Sequence, residues 1–313
     1  MSHTTTLSGV ISVVIPVKNG GDGLVRCLDG IRSQETADQI EIVVVDSGST
    51  DGSLDVARAR GALVHEIPAR AFSHGASRNL GAGRACGELL VFLSQDAVPV
   101  DRRWLSRLTA GLDRHPELAG VYGRQLVNDG GTPPEEYFLN FLYGATPRTQ
   151  RAGALHELSM DTTLFSNVNS AIPREIWERF PFVDDIIMSE DQEWSRRVLL
   201  DGYTIAYEPA AAVRHSHNYT VLGAFRRFFD SGASSDRAYM AGQRHSSRVL
   251  RRAVVRYALG EMAWLIRTGR GRWIPYAVLY ESAKLIGLLA GARHERIPVA
   301  VKRKLSAMPA YWG

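Results

Sequence analysis

The chain has little cysteine and no long apolar run in its C-terminal third. Of its 313 residues only Cys27 and Cys86 are cysteines; both lie in predicted helices without metal-ligand spacing, so we expect reduced thiols in a reducing compartment. The longest apolar run beyond Val221, residues 273–280, is far short of the roughly 18 to 20 residues that span a bilayer. The N-terminal MSHTTTLSGV lacks the basic and apolar regions of a signal peptide, which predicts a cytoplasmic location.

The charge is distributed unevenly. Residues 221–313 contain 17 Lys and Arg against 5 Asp and Glu, a net charge of +12, and residues 1–220 contain 20 against 28, a net charge of −8. An acidic first part disfavours nucleic-acid binding despite a pI near 9.1. The basic, helical, aromatic tail predicts either amphipathic helices on an anionic membrane or a subdomain that packs on the core or forms a homodimer.

Apolar strand-like runs alternate with helical periods in the first half of the chain. This alternation predicts an α/β fold with a parallel sheet covered by helices on both faces. The predicted strands are residues 11–17, 41–46, 62–67 and 89–94, and the predicted helices begin near residues 22, 53 and 76. We expect a catalytic domain over 1–220, with a nucleotide-binding half over about 10–120 and an acceptor half over about 121–220, followed by a helical extension over 221–313.

Three apolar runs end at polar side chains: Asn19, Asp46 and Asp96. The carboxyl ends of strands in an open α/β sheet line the ligand crevice, so these side chains predict a nucleotide site. The segment DSGSTDGS contains neither G-x-G-x-x-G nor G-x-x-x-x-G-K-[ST], which gives no support to a dinucleotide site or a P-loop. Asp46 can accept the imino proton of uracil or thymine; the alternative is a turn in which Ser49 or Asp51 caps a helix.

Asp96 is a candidate metal ligand. Mg²⁺ and Mn²⁺ favour oxygen ligands and are commonly bound by one or two carboxylates together with phosphate oxygens. We therefore expect Asp96 to share a divalent cation with the diphosphate of a sugar nucleotide, the alternative being a cap for the next helix. Arg78, near the start of a helix, is a candidate anion or base ligand, or a surface arginine beside glycines that serve close packing.

Two later segments carry candidate catalytic groups. Glu190 and Asp191 begin a helix in SEDQEW, where the helix dipole favours acids by about 0.3–1 kcal/mol, but one carboxylate could also deprotonate an acceptor hydroxyl. In VRHSH we expect His215 and His217 to point to opposite faces, so that at most one of them readily serves the crevice. We favour His215 as a metal or diphosphate ligand, and a surface histidine pair is the alternative.

Together these segments resemble glycosyltransferase family 2, whose members have the GT-A fold. The resemblance covers residues 11–217 and rests on VVIPVKN, VVVDSGSTDGS, ASRNLGAG, FLSQDA, SEDQEW and the late histidine. It implies an inverting, metal-dependent transferase in which Asp46 contacts the base, Asp191 is the general base, and Asp96 and His215 hold Mg²⁺ or Mn²⁺. The family's DxD motif reads Ser94-Gln95-Asp96 here, so one carboxylate remains.

The predicted site residues form three groups. Asp191 with Glu190 is catalytic, and Trp194 contacts the acceptor or sugar. The donor nucleotide is bound by Pro16, Val17, Asn19, Asp46, Ser47, Gly48, Gly75, Arg78, Gln95 and Asp96.

A narrower resemblance links nearly the whole chain to bacterial rhamnosyltransferases of O-antigen, capsule or cell-wall glycan assembly. It rests on FSHGASRNLG, FLSQDAVP, SNVNSAIPREIWERFPF and VKRKLSAMPAYW. It implies a dTDP-L-rhamnose donor and a lipid-linked or growing glycan acceptor. The basic tail predicts a location on the inner face of the cytoplasmic membrane. A UDP-hexose donor is one alternative, and a catalytically degenerate glycan-binding scaffold is another.

Overall fold

The structure is a computed structural model that describes residues 6–112, 114–240 and 247–313, with side chains considered outside 239–253. Within these residues nine strands form one sheet: β1 (Leu7–Val17), β2 (Gln39–Asp46), β3 (Leu63–Glu66), β4 (Gly87–Leu93), β5 (Val98–Pro99), β6 (Leu118–Leu126), β7 (Arg148–Gln150), β8 (Asn169–Pro173) and β9 (Thr204–Arg214). The helices are α1 (Gly21–Arg32), α2 (Ser53–Ala59), α3 (His74–Arg84), α4 (Trp104–Thr109), α5 (Pro133–Leu142), α6 (Arg174–Arg179), α7 (Glu190–Leu200), α8 (Val221–Ser235), α9 (Ser247–Arg267), α10 (Ile274–Gly291) and α11 (Val299–Leu305).

The predicted α/β architecture is confirmed. The strand order is β3-β2-β1-β4-β8-β6-β9-β5, and β7 pairs with β9. β1 to β4 pair in parallel, whereas β8 runs antiparallel to both β4 and β6. The parallel half is therefore the N-terminal one, and the second half of the sheet is mixed.

The register brings the predicted strand ends to one edge. Val17 at the end of β1 pairs with Asp46 at the end of β2, and Val14 of β1 pairs with Phe92 of β4. Because these strands are parallel, the loops that follow them leave the sheet on the same side. Asn19, Asp46 and Asp96 are thus held at one edge, as the sequence predicts.

The central strands carry buried side chains on both faces of the sheet. Val13 and Val91 belong to one buried cluster, whereas Val14 and Leu90 belong to another on the opposite face. Neighbouring side chains of a strand point to opposite faces, so an apolar run of this kind has to be covered twice. Burying each such side chain contributes about 1.5–3 kcal/mol.

Helices α8 and α10 approach each other very closely. A Cβ atom on Gly287 would lie 2.3 Å from the Phe225 carbonyl oxygen, and one on Gly291 would lie 1.9 Å from the Phe229 carbonyl oxygen. Any larger residue at these positions would separate the two helices. Among the described residues, no helix has both the length and the apolar character needed to cross a membrane.

The C-terminal segment folds back onto the region that precedes α7. The Asp230 carboxylate accepts the backbone N–H groups of Ala307 and Met308 at 2.8 and 3.2 Å. The Tyr311 hydroxyl donates to the Asp185 carbonyl oxygen at 2.9 Å, and Asp185 also forms an ion pair with Arg237 at 2.8 Å. Residues beyond 220 therefore help to fix the segment that leads into α7, although the division of the chain into domains at residue 220 stays a prediction.

Candidate functional site

Three potential metal ligands meet at the carboxyl edge of the sheet. Nε2 of His215 lies 3.6 Å from Oδ1 of Asp96, and Nδ1 of His217 lies 3.8 Å from Oδ2 of the same carboxylate. One ligand atom from each residue falls within 4.8 Å of the other two. A cation with bonds of about 2.0–2.2 Å could be reached by all three.

The prediction that the two histidines point to opposite faces was wrong. Residues i and i+2 of an extended chain share a face, so the spacing of His215 and His217 favours the same side and not opposite sides. The two rings lie edge to face with their centroids 4.7 Å apart, and both approach Asp96. His217 is therefore the functional candidate that sequence reasoning missed, although its place just beyond a strand end was visible.

The chemistry of this group fits a divalent cation. Nδ1 of His215 lies 3.0 Å from Oε1 of Gln125, whose Nε2 donates to the Ser166 hydroxyl at 3.0 Å. This network assigns the proton to Nδ1 and directs the lone pair of Nε2 toward Asp96. Burial lowers the pKa of His215 to about 4 although the Asp96 charge opposes this, so the imidazole is neutral. Two acceptors facing each other repel, and a bound cation would remove that repulsion.

Gln95, in the place of a DxD carboxylate, holds the end of β1. Its Oε1 accepts the Lys18 N–H at 2.8 Å, and its Nε2 donates to the Lys18 carbonyl oxygen at 3.2 Å. Asn19, in the left-handed region with φ +48°, accepts the Thr50 N–H at 2.8 Å and donates its own N–H to the Ser49 hydroxyl at 2.8 Å. These bonds tie the loops after β1, β2 and β4 to one another.

Asp46 has one oxygen in use and one without a partner. Its side chain is buried, and Oδ2 accepts the N–H groups of Gly48 and Ser49 at 2.8 and 2.9 Å. Oδ1 is buried and has no hydrogen-bond partner among the described residues. The neighbouring Ser47 hydroxyl donates to the Val17 carbonyl oxygen at 3.2 Å, which fixes this loop on β1. The free Oδ1 is an acceptor of the kind that a base N–H requires, and the role itself stays a prediction. Pro16, another predicted donor residue, precedes Val17 in β1.

Asp191 accepts two backbone hydrogen bonds and has a raised pKa. Its Oδ2 accepts the Asn167 N–H at 3.1 Å, and its Oδ1 accepts the Gln192 N–H at 2.9 Å. Burial, together with the charge of Glu190, raises the pKa of Asp191 to about 7. Ser189, which precedes this pair, has φ +65°, a conformation that costs a non-glycine residue energy and is common at functional sites.

Glu190 and Arg78 form a buried ion pair, which differs from the roles predicted for them. The Arg78 guanidinium donates to Oε1 of Glu190 at 2.8 Å, and the two side chains are 7% and 6% exposed. Burial opposes the charged carboxylate, but Arg78 and His74 outweigh it and lower the pKa of Glu190. Glu190 is thus held as an anion behind Asp191, and Arg78 is not free to bind the donor in this structure.

Burial bears on two further site predictions. Trp194 is fully buried, with its ring 4.7 Å from that of Phe165 and 6.2 Å from that of Phe182, so it cannot contact an acceptor here. A Cβ atom on Gly75 would lie 1.9 Å from the Val183 carbonyl oxygen. Gly75 therefore serves the close approach of α3 to the chain before α7, as in the packing alternative.

Comparison with known proteins agrees with this geometry. The model of the family "Glycosyl transferase family 2" matches residues 12–179. The O-antigen chain rhamnosyltransferase RfbN of Salmonella typhimurium is 30% identical over 313 residues, which cover 96% of each chain. WbaN of Salmonella anatum, which has the same description, is 28% identical over 311 residues and covers 96% of this chain and 95% of that one.

Solved structures share the fold at lower identity. The mannosyltransferase PcManGT of Pyrobaculum calidifontis, in complex with GDP-Man and Mn²⁺, has a TM-score of 0.55 and 19% identity over 96% of this chain and 84% of that one. Residues 1–349 of TarS of S. aureus give a TM-score of 0.51 and 16% identity, with 91% of each chain covered. Fold, family match and full-length relatives confirm the predicted GT-A architecture and glycosyltransferase activity, and the chain belongs to glycosyltransferase family 2.

Proposed function

We propose that this enzyme transfers a sugar from a nucleotide-sugar donor to a hydroxyl group of a glycan, with inversion and with the help of a divalent cation. The observation that carries the proposal is the combination of a metal-ready group, Asp96, His215 and His217, with a carboxylate, Asp191, whose pKa is about 7. A general base works best when its pKa lies near the working pH.

The proposed reaction is a single displacement at the anomeric carbon. The acceptor oxygen forms its bond to that carbon as the bond to the diphosphate oxygen breaks, and the bonding electrons leave with the diphosphate. Asp191 takes the proton of the acceptor hydroxyl, and one displacement inverts the anomeric configuration. Asp96, His215 and His217 would hold the cation, which neutralises negative charge on the leaving group when bound.

We propose dTDP-L-rhamnose as the donor and a lipid-linked or growing surface glycan as the acceptor. The two relatives described as O-antigen chain rhamnosyltransferases, which match across the length of the chain, support this choice. The unpartnered Oδ1 of Asp46 suits the imino N–H of thymine and also that of uracil. A UDP-hexose donor would therefore use the same site and the same mechanism.

A screen of purified protein without acceptor tests the function. Donor hydrolysis and the melting temperature, Tm, are measured with dTDP-L-rhamnose, UDP-glucose, UDP-galactose and UDP-GlcNAc, each with Mn²⁺, with Mg²⁺ or with chelator. A donor at 100 times its Kd stabilises the protein by about 2.7 kcal/mol. We expect metal-dependent stabilisation and hydrolysis with at least one donor. If no nucleotide sugar produces either effect, the scaffold alternative is the better account.

We further propose that the helical tail rests on the anionic inner face of the cytoplasmic membrane. Val255, Leu259 and Ile266 are 54%, 65% and 64% exposed, and their spacing places them on one face of α9. Arg256 and Arg267 of the same helix are also exposed. An exposed apolar face beside arginines is the composition of an interfacial helix, and each cation near an anionic surface contributes about 1 kcal/mol.

A further inference from the structure

Helix α8 connects two sides of the site. One is the metal side, with Asp96, His215 and His217, and the other is the side of the proposed general base, Asp191. His217 lies just before its N-cap, Thr220, whose hydroxyl accepts the Gly223 N–H. Farther along the helix, the Ser231 hydroxyl contacts the sulfur of Met188 at 3.2 Å, and the Ser234 hydroxyl accepts the Met188 N–H at 3.2 Å. Met188 lies only two residues before Glu190, so one face of α8 borders both halves of the site.

Arg227 lies on this face, one turn before Ser231. Its guanidinium contacts the sulfur of Met188 and is half-buried. Within the described part of the chain, no carboxylate comes within 4.0 Å of the Arg227 guanidinium. Other arginines around the site are paired, since Arg78 contacts Glu190 and Arg237 contacts Asp185, each at 2.8 Å.

Arg227 reaches both sides of the site. Its guanidinium also forms a hydrogen bond with the Tyr219 hydroxyl, and the Tyr219 ring centroid lies 5.2 Å from that of His217, which belongs to the metal group. Met188, the other contact of Arg227, lies on the side of Asp191. Arg227 therefore stands between the side that would hold the cation and the side that carries Asp191.

A half-buried guanidinium whose partners are the neutral thioether of Met188 and the Tyr219 hydroxyl lacks the anion that would compensate its lost hydration. A planar guanidinium can donate two parallel hydrogen bonds to a phosphate, which makes arginine well suited to diphosphates. We propose that Arg227 binds the donor diphosphate opposite the metal group and stabilises the charge on the departing phosphate oxygen. This inference rests on the proposed function, because it needs a nucleoside diphosphate as leaving group.

The test compares Arg227→Gln and Arg227→Lys with Arg226→Gln, a matched change at the exposed neighbouring arginine. Calorimetry in the presence of Mn²⁺ measures the Kd values of dTDP and UDP, of dTMP and UMP, and of the nucleosides. We expect Arg227→Gln to weaken nucleoside diphosphate binding roughly 10- to 100-fold, the effect of losing charged hydrogen bonds, and to leave nucleoside binding unchanged. Arg227→Lys should recover part of the loss, and Arg226→Gln should bind like the wild type.

Three outcomes would overturn the assignment, and they differ in whether the proposed function survives. If Arg227→Gln and the wild type bind the diphosphates equally well, only the role of Arg227 is refuted. An equal loss for nucleosides and diphosphates, accompanied by a lower Tm, shows that Arg227 acts only through packing on Met188. If the wild type binds neither dTDP nor UDP, the proposed function falls and the inference falls with it.

Discussion

Replacing Asp191 by Asn should stabilise the folded protein at pH 8 while it removes most of the activity. The pKa of Asp191 rises from 3.8 to about 7 on folding, so the fold favours its protonated form. This contribution to stability is fully present below pH 3.8 and is lost as the pH rises through about 7.

The magnitude follows from the pKa values. A rise from 3.8 to about 7 corresponds to roughly 4 kcal/mol at about 1.4 kcal/mol per pH unit. Solvent around the half-buried carboxylate reduces this figure, and an Asn amide group facing the N–H of Asn167 or Gln192 loses about 1 kcal/mol. We therefore expect a net gain of about 1–2 kcal/mol at pH 8 and no net gain at pH 5, where the lost hydrogen bond offsets the smaller penalty accumulated above pH 3.8.

Glu190→Gln is the matched control, because it makes the same chemical change one residue earlier. It leaves the buried Arg78 guanidinium without its anion, and breaking a buried pair costs about 3–5 kcal/mol. Thermal unfolding is measured at pH 5 and pH 8. At pH 8 we expect the Tm of Asp191→Asn to lie above that of the wild type and the Tm of Glu190→Gln to lie below it. A lower Tm for Asp191→Asn at pH 8, or an equal effect at both pH values, would refute the reasoning.

Turnover provides a second readout for the same variant. A general base contributes typically 10²- to 10⁴-fold, so Asp191→Asn should retain less than about a hundredth of wild-type turnover. Wild-type activity should rise as the pH passes through about 7, because the base acts as its carboxylate. A variant with more than about a tenth of normal turnover would contradict the role of Asp191.

Three further outcomes are expected. His217→Ala and His215→Ala should each weaken metal-dependent donor binding. Chelator should abolish turnover, and Mn²⁺ should restore turnover better than Mg²⁺ because imidazole suits transition metals. Turnover that survives exhaustive chelation would contradict the metal site. In donor competition, dTDP-L-rhamnose should be used in preference to UDP-glucose, UDP-galactose and UDP-GlcNAc, and equal use of any of these would favour the UDP-hexose alternative. At low salt the protein should float with anionic vesicles, and a smaller fraction of Leu259→Asp or Ile266→Asp should do so. If the wild type does not float at low salt, packing or dimerisation remains as the role of the tail.

Local sequence patterns predict the sheet edge well. The apolar runs before Asn19, Asp46 and Asp96 end where the strands end, because a strand buried on both faces stays apolar until the chain leaves the sheet. The helix that starts at Glu190 is also predicted, since acids are favoured in a first turn. These features depend on near neighbours in the chain, which a sequence pattern records directly.

The predictions that fail depend on contacts between distant segments. Arg78 meets Glu190 across 112 residues, and no spacing rule indicates that an apparent anion ligand is already paired. Trp194 follows Glu190 and Asp191 in sequence, but the helical turn directs its ring into a cluster with Phe165 and Phe182. The prediction for His217 fails for a different reason: residues i and i+2 of an extended chain share a face, so its spacing from His215 already favours one side for both rings.

The bond between Tyr311 and Asp185 affects how the enzyme folds during synthesis. The two residues are 126 positions apart, so at about 5–20 residues per second Tyr311 is added some 6–25 s after Asp185. Until then the segment before α7 lacks this anchor on the ribosome, and the first strands of the sheet can already be paired. The active site is therefore completed late, and a chain whose synthesis stops before residue 311 retains its parallel strands but lacks one of the bonds that hold Ser189, Glu190 and Asp191 in place.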